Sequence, residues 1–104
     1  MKILIDYEGR AIRLTDERLQ HILEHPEMHG MAQRIEKTVR SPQKVLESLS
    51  DPKARLYYRL YLGSRVGDKH LCVVVKVADN DAFILTAYLV TRPTGGKQLW
   101  PKSD

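Results

Sequence analysis

The chain is poor in the residues and runs that define several large protein classes. It has one cysteine, Cys72, so no intramolecular disulfide can form and no thiolate cluster can hold a metal. No apolar stretch approaches the roughly 20 residues of a membrane-spanning helix. At the amino end only Ile3, Leu4 and Ile5 lie between charges, too few for the core of a secretory leader. Internal repeats, low-complexity tracts and glycine- or proline-rich linkers are also missing. These absences leave a single domain, residues 1–104, with a cytoplasmic location and no membrane association expected. What remains is 42% apolar and 29% charged, enough for one buried core. The net charge of +4 permits an anionic partner without requiring one.

Local signals give the order of elements. Lys2–Tyr7 and Ala11–Leu14 read as short extended segments around the turn Glu8-Gly9-Arg10. Thr15 reads as a helix N-cap, Asp16 and Glu17 suit the positive end of the helix dipole, and Leu14 with Leu19 forms a hydrophobic staple. Leu19, Ile22 and Leu23 make the buried stripe, and Pro26 stops the helix near His25. Met28, Met31, Ile35 and Val39 mark a second helix over about 28–40, with Gly30 its weak point. Strands follow at 45–49, 55–62, 71–77 and 83–90. Within 55–62 the alternation puts Leu56, Tyr58, Leu60 and Leu62 on one face, and Arg55, Tyr57, Arg59 and Tyr61 on the other. The fold class expected is α+β: two N-terminal helices packed on a mostly antiparallel sheet of four to five strands.

Candidate chemistry begins with His21 and His25, one helical turn apart beside Arg18. Imidazole exchanges protons near neutrality, so such a pair on a basic protein suits acid–base work on a phosphodiester. The same pair could be structural, with His21 bonded to backbone and His25 stabilised at the helix end. A metal site is not expected: the residue after His21 is Ile22, where a zinc-protease helix has glutamate. Arg55 and Arg59, interleaved with Tyr57 and Tyr61, offer guanidinium groups for phosphates and rings for unstacked bases. Lys76 ends the run Val73-Val-Val, and Thr86 interrupts Phe83–Tyr88; each needs a partner or a cleft. With a three-residue loop Asp79-Asn80-Asp81, Lys76 lies opposite Ile84, and Lys76, Thr86 and Tyr88 share a face. Arg92 and Lys97 lie on a glycine-bearing tail, and Leu99 and Trp100 are expected to cap the core.

Leu14-Thr15-x-Glu17-Arg18-x-x-His21-Ile22-x-x-x-Pro26-Glu27, Tyr57-Tyr58, Val73-Val-Val-Lys76, Thr86-Ala87-Tyr88 and Lys97-x-x-Trp100 follow one another in order. Together they resemble the phage-type members of the barnase–EndoU–colicin–RelE superfamily over about residues 11–100. The resemblance implies helices followed by a four-stranded antiparallel sheet. It also implies a metal-independent endoribonuclease without cofactor, toxin-like, with RNA as substrate and an antitoxin or immunity protein as partner.

Under that reading the 2′-hydroxyl of RNA attacks phosphorus to give a 2′,3′-cyclic phosphate. His21 acts as base or acid, with Tyr88 or His25 as its complement. Lys76, helped by Arg59, stabilises the phosphoryl charge, and Thr86 positions an oxygen. Arg18, Arg55, Tyr57, Tyr58, Arg59, Arg92 and Lys97 would hold the RNA. The alternative is a non-catalytic RNA-binding or protein-interaction module of phage or mobile-element origin on the same fold. It differs in needing no convergence of His21 with Lys76.

Overall fold

The computed structural model describes residues 1–102. The Glu8-Gly9-Arg10 turn folds β1 (Lys2–Ile5) back on β2 (Ala11–Leu14). Thr15 then caps α1 (Asp16–Leu23), its hydroxyl oxygen accepting from the Arg18 N–H at 3.1 Å. Pro26 opens a single 3₁₀ turn, Pro26–Met28, and Gly30 takes a φ of 75° that side-chain-bearing residues rarely adopt. The second helical segment is therefore split, and α2 spans only Ala32–Arg40. Four further strands follow: β3 (Lys44–Glu47), β4 (Ala54–Ser64), β5 (Gly67–Ala78) and β6 (Asp81–Val90). A last short strand, β7 (Gln98–Trp100), ends the described fold.

All seven strands form one mixed sheet in the order β1-β2-β6-β5-β4-β3-β7. This corrects the expected architecture in two respects. The sheet has seven strands, not four to five, and the helices sit mid-chain because two strands precede them. The extra strands have a simple origin. β2 runs parallel to β6 through the Arg13–Phe83 pairing, which carries β1 into the sheet with it. Leu99 and Trp100 lie in a strand that pairs with β3, and from it Leu99 packs against the main core cluster and Trp100 against Tyr7.

Both helices cover one face of the sheet. Ile22 of α1 and Ile35 and Val39 of α2 pack into a single buried cluster with Val45, Tyr57, Leu71, Val73, Val75, Ile84 and Ala87. Burying each of those isoleucines contributes about 1.5–3 kcal/mol. The other face carries Leu46, Tyr58 and Cys72 as a smaller cluster, with Leu56, Val74 and Val90 packed around it. Among the described residues no helix lies on that side. The segment after β6 crosses it instead: the Tyr58 hydroxyl donates to the Thr94 carbonyl at 2.6 Å, and Gly95 and Gly96 lie against Leu46 and Glu47. A Cβ on Gly95 would stand 3.1 Å from the Glu47 carbonyl oxygen, so only glycine lets this strap lie so close. No helix among the described residues is long and apolar enough to cross a membrane.

Candidate functional site

Register decides which candidates meet. The β5–β6 turn has two residues, Asp79 and Asn80, so Lys76 faces Phe83 where the three-residue loop had placed Ile84. On its own this shift would move Thr86 to the other face. A bulge at Leu85 restores the phase: Val75 pairs with Ile84, but Val74 pairs with Thr86 and Cys72 with Tyr88. Lys76, Thr86 and Tyr88 therefore share the face that lacks helices.

His21 does not join them. Its ring is on α1, in the opposite layer, with the whole sheet between it and Lys76. Its side chain is 65% exposed, and Nδ1 lies 4.0 Å from Glu24. A shallow groove beside it is lined by Thr15, Glu17 and Arg18. His25 has left the helix with extended backbone and stands edge-on to His21, ring centres 6.2 Å apart. Among the described residues no three His, Cys, Asp or Glu side chains are grouped to hold a metal.

On the open face, the Lys76 ammonium is hydrogen-bonded to the Asp51 carboxylate. That bond, with the Lys53 backbone N–H, holds the Asp51 carboxyl below its ordinary range. Arg13 is tied in the same way, with Nε and Nη2 donating to Asp81 at 2.8 and 2.6 Å, and its guanidinium lies over the Phe83 ring. Burial, helped by the neighbouring Cys72, pushes the Tyr88 hydroxyl up to about 12, far from the range useful for proton exchange at neutrality. Burial likewise pushes the Cys72 thiol up to about 11. We expect native protein to resist maleimide at mildly alkaline pH and to react fully once unfolded in urea. Rapid labelling of the native thiol would contradict this packing.

The face of β4 expected to meet RNA is the one beneath the helices. Tyr57 is fully buried and its hydroxyl donates to Asp6 at 2.6 Å. Arg55 reaches Glu8 at 3.2 Å, Arg59 donates to the Ser41 carbonyl at 2.7 Å, and Tyr61 donates to the Arg34 carbonyl. Tyr58 is also buried, but on the other face and under the strap. All five have partners within the fold. The reason is chemical: each amphipathic side chain buries its stem or ring and finds a partner for its polar tip in the β1–β2 turn, at α2 or in the strap. Arg92 and Lys97 remain exposed on the strap.

Sequence reasoning missed what the inversion leaves outside. Leu60 and Leu62 follow Leu56 and Tyr58 along the open side of β4 and are 39% and 70% exposed. Val66, in the β4–β5 turn, is 51% exposed. The alternation had flagged both leucines, but as the face opposite the RNA-binding one. Ile3 and Ile5, at the β1 edge, are also half exposed on this side. No known family model, curated protein or solved structure matches this chain.

Proposed function

We propose that the chain is a non-catalytic protein-interaction module that docks through the sheet face without helices. The observation that carries this reading is the separation of His21 from Lys76 by the full thickness of the sheet. Phosphodiester transfer needs an acid–base group and a charge-stabilising cation within reach of one phosphate. Two further features support binding over catalysis. Lys76 and Arg13 are already neutralised by Asp51 and Asp81. Of the rings on this face, Phe83 is covered by Arg13 and Tyr58 lies under the strap, which leaves Tyr88 alone for stacking. Beside Thr86 and His70 the face carries aliphatic side chains, and these suit a protein surface better than bases. A reducing, cytoplasmic setting fits the free Cys72 thiol.

The endoribonuclease reading keeps one observation in its favour: Lys76, Thr86 and Tyr88 stand on one face. Incubation with structured and single-stranded RNA in excess chelator, followed by end-group analysis, separates the two readings. We expect intact RNA from the wild-type chain. Cleavage to 2′,3′-cyclic phosphates that falls at least about a hundredfold in Lys76→Ala would instead establish catalysis.

A further inference from the structure

Cations and carboxylates are distributed unevenly between the two ends of the sheet. At the end holding the β1–β2 turn and the β5–β6 turn, Arg10, Arg13, Arg55 and Lys76 each meet a carboxylate of Asp6, Glu8, Asp51 or Asp81. At the other end the β4–β5 hairpin carries Arg65 and Lys69, with Arg92 beside it beyond β6. Among the described residues none of these three cations is in an ion pair. Lys69, opposite Tyr61, stands on the helix-side face and donates to the neutral Thr91 hydroxyl at 3.4 Å. The one carboxylate of the hairpin turn, Asp68, accepts the Gly63 backbone N–H at 2.8 Å.

Three exposed aliphatic residues lie at the same end. Leu60, Leu62 and Val66 run up the hairpin into its turn, so uncompensated positive charge borders an uncovered apolar strip. Apolar surface of this kind, rimmed by charge, marks a contact surface. Its complement is a segment with apolar side chains between carboxylates. A nucleic acid answers the charge but not the aliphatic strip, because bases stack on rings and not on leucine.

We propose that the β4–β5 hairpin end docks an acidic, leucine- or isoleucine-bearing segment of a partner protein, with Leu60, Leu62 and Val66 as anchors and Arg65 and Arg92 as the cationic rim. This rests on the binding-module reading and names the chemistry of its partner. The test uses the full chain and a labelled synthetic peptide alternating leucine and glutamate, with fluorescence anisotropy as the readout. A matched peptide has lysine for every glutamate, and labelled oligouridylate is the third probe.

The expected result is binding of the glutamate peptide, weakened at least about tenfold by Arg65→Glu with Arg92→Glu, and separately by Leu62→Ser. Lys53→Glu, at the far end of β4, leaves it unchanged. All these positions are exposed or intermediate, so the variants fold. Equal binding of the two peptides, or indifference to the hairpin substitutions, overturns the assignment. Oligouridylate bound through Arg65 and Arg92 while the glutamate peptide is ignored overturns it in favour of RNA. RNA cleavage by the wild-type chain is a different failure, since it removes the binding-module reading itself.

Discussion

Asp6→Ala is expected to destabilise the protein by about 3–5 kcal/mol, the range for breaking a buried, hydrogen-bonded charge pair from one side. The carboxylate is completely buried and accepts four bonds. Two come from the side chains of Tyr57 at 2.6 Å and Arg10 at 2.9 Å, and two from the Glu8 and Arg10 backbone N–H groups at 2.9 and 2.8 Å. Removing it strands the Tyr57 hydroxyl inside the core and releases the turn that holds β1 to β2. Burial, reinforced by Asp6, lifts the Tyr57 hydroxyl far above the usual phenol range, so it remains a donor throughout the working pH range. Tyr57→Phe removes one bond and leaves the others, and is expected to cost about 1–2 kcal/mol. Urea unfolding at constant m-value measures both. A wild-type midpoint for Asp6→Ala would mean that this cluster contributes nothing.

Tyr58→Ala carries a comparable loss, about 3–5 kcal/mol for removing a buried ring. It also has a local signature that Tyr58→Phe lacks. The ring fills the open-face cluster beside Leu46 and Cys72, while the hydroxyl both donates to the Thr94 carbonyl and accepts from the Thr94 N–H. Losing the ring frees the strap and uncovers the thiol, so Tyr58→Ala should label readily with maleimide under native conditions. Losing the hydroxyl alone should cost about 1 kcal/mol and leave the thiol protected. If Tyr58→Ala melts like the wild type with Cys72 still closed, the strap is held by something other than this side chain.

Much of the local structure was legible because local chemistry decides it. Thr15 caps α1 as its hydroxyl and the acidic first turn require, and Pro26 ends that helix. The alternation in β4 was also read correctly, as a period. Its direction was not, because a two-residue period says that two faces differ without saying which one is covered. Here the helices chose the side of Tyr57 and Tyr61, whose polar tips reach Asp6 and the Arg34 carbonyl from α2. Those partners are far away in sequence, and no local pattern announces them.

The shared face of Lys76, Thr86 and Tyr88 had been tied to a three-residue loop, yet it arises from a shorter turn and a bulge at Leu85 acting together. The seventh strand escaped notice for a different reason. Gln98–Trp100 is too short to show a period, and it is a strand only because β3 offers it an edge.

The pairing of Arg13 with Phe83 has a kinetic consequence. β4, β5 and β6 meet through tight reversals, so each can zip onto its neighbour as soon as both exist. The β1–β2 hairpin has no such neighbour near it in the chain: its one route into the sheet is β6, and reaching it closes a loop spanning most of the protein. During synthesis from the amino end, this hairpin is made before β6 and is compelled to wait for it. Until β6 emerges, Leu4, Ile12 and Leu14 have no finished core to enter, and a holding chaperone would find an apolar handle there.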